Sequence, residues 1–200
     1  MNKPIFCFVG MSGSGKSTIM REVMGFFIRS SDKRYKNLVY HTTRKKRPGE
    51  IDGTDYIFEK DGLYKDDLPN IVELREYEKA DEGTVYYYTT YDDVSDSSVD
   101  AYLCAASVNQ VLEYMNKLDN IYIIVLECPV RDRILRSLER SISDDASIEV
   151  CRRVLEEREE FNKIYNINEL FIVDNGNDHD LNMNVIRIGH YIEDTLEDHI

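Results

Sequence analysis

Gly10-Met11-Ser12-Gly13-Ser14-Gly15-Lys16-Ser17-Thr18 follows directly on the apolar run Ile5-Phe6-Cys7-Phe8-Val9 and opens a helical pattern from Thr18 to Phe27. A strand, then G-x-x-x-x-G-K-S, then a helix is the order in which a phosphate cradle is built. Glycines at 10, 13 and 15 allow a tight bend, so that successive N–H groups converge on phosphate oxygens at a helix N-terminus. Lys16 is the residue type that meets the outer phosphates of a nucleoside triphosphate as a point charge. The Ser17 hydroxyl is the one that ligates Mg²⁺. The expected ATP-binding set is therefore Gly10, Ser12, Gly13, Ser14, Gly15, Lys16, Ser17 and Thr18, with Ser17 also the metal ligand.

Away from the loop, apolar runs alternate with helical patterns in the βαβ manner of a parallel sheet covered by helices. Strands are expected at Leu38-Val39-Tyr40, Ala101 to Ala106, Ile121 to Leu126 and Leu170 to Val173. Ile121 to Leu126 is the clearest, being nearly continuous in aliphatic residues as a strand buried on both faces requires, and Pro129 closes its exit. Helices are expected at 107–118, 130–140, about 148–165 and 181–196. Between residues 56 and 88 the pattern turns antiparallel, with Tyr56-Ile57-Phe58, Ile71 to Leu74 and Val85 to Tyr88 joined by Asp-Gly turns. The polar stretch 141–147 between two arginine-bearing helices reads as a lid.

The 200 residues, 42% of them apolar, suffice for one domain with a real core. A net charge of −13 weighs against duplex nucleic acid or an anionic membrane as partner. Cys7, Cys104, Cys128 and Cys151 form no C-x-x-C pair and read as buried reduced thiols. With no apolar run of membrane-spanning length and no leader-like start, a soluble cytoplasmic protein is the expectation.

A second constellation lies in Thr42-Thr43-Arg44-Lys45-Lys46-Arg47-Pro48-Gly49-Glu50-Ile51-Asp52-Gly53-Thr54-Asp55-Tyr56-Ile57-Phe58. By itself, a loop with four adjacent cations reads first as a solvated basic face. It also has the means to hold an anion, through the arginine fork and the tyrosine hydroxyl. Together with the glycine-rich loop, this segment resembles the guanylate kinase signature T-T-R-x-x-R-x-G-E-x-x-G-x-D-Y-x-F at every fixed position, and the order of elements is similar over nearly the whole chain.

That resemblance implies a P-loop NTPase fold of the α/β class: a parallel core (1–34, 98–137, 165–200), a small mixed-β nucleotide-monophosphate insertion (35–97) and a helical lid (138–164). It implies transfer of the γ-phosphoryl of MgATP to GMP or dGMP by a monomer or homodimer. Arg44, Arg47, Tyr56 and Tyr87 would hold the acceptor phosphate, with Glu50 supporting the arginines. Glu73 would read the two donors of guanine, with Tyr40 and Thr89 at the base edge. Lys16, Arg44, Arg140 and Arg153 would stabilise the transferring group, with Arg152 an adjacent competitor, and Asp174 or Asn175 would lie against the adenine of ATP.

The sequence departs from the family at Tyr40, where a small hydroxyl is usual, and at Tyr88, where the family has glycine. It departs again at Leu103-Cys104-Ala105-Ala106, which lacks the family's aspartates around 104 and 106. Asp92, Asp93 and Asp100 are the nearby acids. Two other readings stay open at this point: a kinase of another acceptor, such as a different nucleoside monophosphate or a ribose bisphosphate, and a nucleotide-binding interaction module.

Overall fold

All five residues of β1 (Ile5–Val9) are buried, because the strand runs through the middle of a parallel sheet covered on both faces. A computed structural model describes residues 2–59, 62, 69–79, 82–139 and 143–197. β1 pairs with β7 (Ala101–Ala106) on one side and β8 (Ile121–Glu127) on the other, Ile5 standing opposite Tyr102 and Ile121. β2 (Tyr35–Asn37) and β9 (Leu170–Asp174) complete the five strands, in the order β2-β7-β1-β8-β9.

Side chains alternate along β1, and the core divides accordingly. Phe6 and Phe8 pack with Ile19, Val23 and Phe27 of α1 (Lys16–Ser30) and with Val185, Ile188 and Ile192 of α5 (Leu181–Glu197). Ile5, Cys7 and Val9 face the opposite layer, made by Val108, Val111 and Tyr114 of α2 (Val108–Lys117) and Phe161 of α4 (Asp144–Asn162). α3 (Val130–Leu138) starts at Pro129, which ends the β8 exit as expected.

The second sheet is mixed, in the order β4-β3-β6-β5. Its β3 (His41–Thr42) runs parallel to β4 (Ile57–Phe58) and antiparallel to β6 (Gly83–Thr90), which forms a long hairpin with β5 (Ile71–Lys79). Val72 of this sheet is fully buried against the α2 layer and ties the two sheets together.

Several expectations change. The apolar triplet Leu38-Val39-Tyr40 is not a strand but the crossing between sheets, flanked by β2 and β3. The Leu38 N–H donates to the Leu103 carbonyl at 2.9 Å, whereas the Tyr40 carbonyl accepts from Ile57 at 2.9 Å, so the triplet's backbone serves both sheets. Since Tyr35–Asn37 pairs with β7, the mixed sheet begins at His41 rather than at 35. The long helix begins at Asp144, four residues before the expected start. Among the cysteines, all free, Cys151 is exposed on α4 while the other three are buried. No helix of the described residues is long and apolar enough to cross a membrane.

Candidate active site

The glycine-rich loop bends as its composition requires. Gly13 and Gly15 have φ of 79° and 92°, the left-handed region that side chains avoid. A Cβ on Gly13 would lie 2.4 Å from the Arg133 carbonyl oxygen, so the loop is pressed backbone to backbone against α3. Gly15 caps α1, whose first turn carries no acid to compete with an anion. Lys16 Nζ folds back onto the carbonyls of Gly10 (2.5 Å) and Met11 (3.2 Å). The loop already holds an anion: the Glu157 carboxylate of α4 accepts from Ser12 N–H at 2.5 Å and also from Ser12 Oγ.

Two arginines of α3, three residues apart and so on one helix face, meet this loop. Arg133 is 1% exposed and donates to the Ser12 carbonyl at 3.4 Å; its burial lowers its pKa, and Glu157 opposes that shift. Arg136 donates to Asn177 Oδ1 at 3.0 Å and lines a 310 Å³ hollow with Lys16, Ser17 and Thr18. Neither arginine was singled out from sequence, though their spacing in a basic helix was the available signal. Arg140 lies outside the described residues. Arg153 is exposed on α4, which contributes Glu157, Glu160 and Phe161 to the main cavity instead. Of the pair at the end of β9, Asn175 is buried and donates to the Ser14 carbonyl at 2.7 Å, while Asp174, the last residue of the strand, accepts from Gly176 N–H and pairs with His179.

The basic loop is no solvated face at Arg44. That residue is 3% exposed and grips Glu50 in a fork, Nη1 at 2.7 Å and Nη2 at 2.5 Å, with Nε donating to Tyr87 Oη at 3.0 Å. Its guanidinium lies over the Tyr56 ring at 4.7 Å. The Arg44 fork, helped by the Arg47 N–H, pulls the Glu50 pKa down to about 2. Arg44, Glu50, Tyr56 and Tyr87 thus come together as the sequence implied, whereas the Arg47 side chain points outward and is exposed.

Glu73 is 1% exposed and sits under two covering side chains. Arg75 Nε lies 2.6 Å from Glu73 Oε1, and Gln110 Nε2 donates to Oε2 at 3.4 Å. Gln110 is aimed there by a capping box, its Oε1 accepting from the Ser107 N–H at 2.9 Å and its own N–H bonding Ser107 Oγ. Burial raises the Glu73 pKa; the Arg75 charge acts against it. Tyr40 Oη donates to the Ala105 carbonyl at 3.0 Å, and Thr89 Oγ1 shares a hydrogen bond with Tyr114 Oη at 2.8 Å.

A cavity of 490 Å³ has Gly10, Ser12 and Lys16 on one wall and Arg75, Tyr77 and Gln110 on the other; Glu73 and the Arg44 cluster lie behind that second wall and do not line it. A model of the guanylate kinase family matches residues 1–183. The chain belongs to the guanylate kinase family. It is 29% identical over 158 residues to the guanylate kinase of Streptococcus pneumoniae strain R6, covering 78% of this chain and 72% of that one. With the guanylate kinase of Methylobacillus flagellatus it shares 28% over 171 residues, 82% of this chain and 78% of the relative. The crystal structure of guanylate kinase from Anaplasma phagocytophilum superposes with a TM-score of 0.60 at 16% identity, over 98% of this chain and 87% of that one, so the fold is shared.

The mixed sheet of this guanylate kinase family member carries a titratable clasp. His41 Nδ1 meets Glu59 at 2.6 Å, Nε2 meets Asp93 at 3.2 Å, and the ring stacks on Tyr88 at 4.9 Å. Burial works against the imidazolium, but the two carboxylates prevail and raise its pKa above 6.5. Protonation of His41 therefore stabilises the fold fully below 6.5, and that stabilisation fades as pH rises through the higher folded value. Melting temperatures measured from pH 6 upward should decline more steeply for the wild type than for His41→Asn. Parallel pH profiles for the two proteins would dismiss the clasp. Asp93, whose own pKa is lowered against its burial by His41 and Thr90, contributes a loss only in acid.

Proposed function

We propose that this chain transfers the γ-phosphoryl of ATP to guanosine monophosphate, dGMP being the closest alternative acceptor. The observation that carries this reading is the single cavity bounded by Ser12 and Lys16 on one side and by Arg75 and Gln110 beside Glu73 on the other. A donor cradle that shares one space with the two side chains covering Glu73 supports the first need of phosphoryl transfer, proximity of donor and acceptor.

Each half has a role in that chemistry. The N–H groups at the α1 terminus and Lys16 bind the ATP phosphates, the place where Ser12 now holds a carboxylate. Asn175 fixes the loop through the Ser14 carbonyl. Arg44, oriented by Glu50 and Tyr87, together with Arg47 and Tyr56, takes the acceptor phosphate. Glu73 accepts from guanine N1–H and the 2-amino group, and Thr89 and Tyr40 shape the pocket around the base. Arg140 and Arg153 bear on the transferring group when the lid segment closes, with Arg133 and Arg136 supporting the donor side.

Mg²⁺ fits this site as a companion of the triphosphate. Among the described residues no cluster of three acidic, His or Cys side chains forms a metal cage, and the exposed Ser17 hydroxyl beside Lys16 supplies one oxygen at the cradle. When bound, the ion neutralises phosphate charge.

The test is ADP release from MgATP with GMP, dGMP, AMP, UMP, CMP and ribose 1,5-bisphosphate, against a no-acceptor control. Turnover confined to guanine nucleotides is expected. Turnover only with another acceptor would replace guanine as the substrate base.

A further inference from the structure

Guanine presents a continuous edge of two donors, N1–H and the 2-amino group, followed by two acceptors, O6 and N7. A carboxylate serves only the first half. The hydroxyls of Tyr40 and Thr89, the side chains implied for the rest of the edge, are bonded to the Ala105 carbonyl and to Tyr114 Oη in this structure. With Tyr40 Oη committed to the Ala105 carbonyl and Thr89 fully buried, the acceptor half calls for a donor from elsewhere.

Arg75 has the chemistry and the placement. It stands two residues after Glu73 on β5, hence on the same face of the strand. Its Nε stands 2.6 Å from Glu73 Oε1 as an ion pair without hydrogen-bond alignment, and its guanidinium carbon lies 5.4 Å from the Tyr40 ring centroid and 5.6 Å from that of Tyr87. An ion pair at one end and two aromatic faces around the plane fix the direction of the fork. The two Nη groups have no acceptor among the described residues, and the side chain keeps 24% of its surface exposed while it lines the main cavity. Glu73, 1% exposed, does not line that cavity.

Building on the guanine acceptor reading above, we propose that Arg75 is a base-reading residue, its two Nη groups donating to O6 and N7 of the acceptor purine while Glu73 holds its Nε. The Glu73-Arg75 pair then spans the whole edge. A carboxylate has about four acceptor sites; Gln110 donates to Oε2, and Oε1, which faces the Arg75 cation without a hydrogen bond, is left to accept from the base. Adenine, with a 6-amino donor in place of O6, opposes the fork and the carboxylate alike. The tyrosine at 40 also gains a purpose: its ring supports a cation at the place where a small hydroxyl would otherwise meet the base.

The experiment is calorimetric binding of GMP and 7-deaza-GMP, which lacks N7, to the wild type, Arg75→Lys and Arg75→Met. The wild type should bind 7-deaza-GMP about tenfold more weakly, as loss of one hydrogen bond to a charged group implies. In both variants the two ligands should bind within about twofold of each other, the preference contributed by that bond having gone. Arg75→Lys retains a cation for Glu73 without the fork, so it decides the matter should the methionine variant fail to fold. A purely structural Arg75 would weaken both ligands together and leave their ratio at the wild-type value, which overturns the inference, as does a wild type indifferent to N7. Wild-type protein that binds no GMP at all would instead remove the acceptor reading, and this inference with it.

Discussion

Lys16→Ala is expected to lower the rate of phosphoryl transfer about a thousandfold while the protein stays folded and still binds GMP. The Nζ now donates to the carbonyls of Gly10 and Met11 at 2.5 and 3.2 Å, so it is held over the cradle before any phosphate arrives. A charge about 3 Å from a phosphoryl oxygen, at the effective dielectric of a partly closed site, contributes about 5 kcal/mol of attraction. Charge accumulates on those oxygens between ground and transition state, and that increment sets the loss in rate. Structural damage should be small: the residue opens α1 and is only half-buried, and both carbonyls it leaves remain in reach of water. Single-turnover transfer, with circular dichroism as the fold control, is the measurement. A folded Lys16→Ala protein that transfers phosphoryl at the wild-type rate would remove this lysine from the mechanism.

The phosphate half of the site was legible because it is local. Nine consecutive residues specify glycine torsions, a helix N-terminus and a lysine, and nothing distant is needed to read them. The three central strands of the parallel sheet were legible for a related reason: burial on both faces demands an uninterrupted apolar run, as in Ile121–Glu127. Elements that owe their existence to a partner were harder. Tyr35-Lys36-Asn37 is a polar edge strand made by pairing to β7 and by Tyr35 stacking on Phe27 at 3.8 Å, while the more apolar triplet after it only crosses between sheets. The polar half of β5, from Arg75 to Lys79, likewise exists through its ladder with β6.

The acceptor side follows the same division. Arg44 and Glu50 lie six residues apart in one signature, and their fork was foreseeable. Gln110 and Glu73 are 37 residues apart, and Ser12 and Glu157 are 145 apart. No local pattern announces such encounters. Arg75 was within reach of inspection, two residues from the carboxylate singled out, but in sequence it reads as one charge of the exposed stretch Arg75-Glu76-Tyr77-Glu78-Lys79. Only the fold shows that its cation is carried inward, onto two tyrosine faces.

Glu73→Gln is expected to narrow the preference for GMP over AMP by about a hundredfold or more, because a site built around buried hydrogen bonds discriminates through the groups that the wrong ligand leaves unpaired. In the wild type the carboxylate offers acceptors only, which face Arg75 and Gln110 and, in the function proposed above, the two guanine donors. The glutamine amide puts an N–H₂ where an acceptor is required, and whichever way it turns, one donor faces another. Removing the charge also leaves Arg75 without its counterion. A broken, fully buried pair costs about 3–5 kcal/mol, and the partial exposure of Arg75 brings the loss of stability nearer to about 2 kcal/mol. That structural cost lowers turnover of GMP and AMP together, whereas loss of base reading lowers GMP alone, so the ratio of their kcat/KM values separates the two effects. An unchanged ratio in a folded variant would assign Glu73 to architecture. A second readout uses acidity: since burial raises its pKa, Glu73 takes up a proton at a higher pH than an ordinary glutamate, and wild-type affinity for GMP should fall as pH drops through that point. The glutamine variant, with no proton to gain there, should lack this limb of the profile.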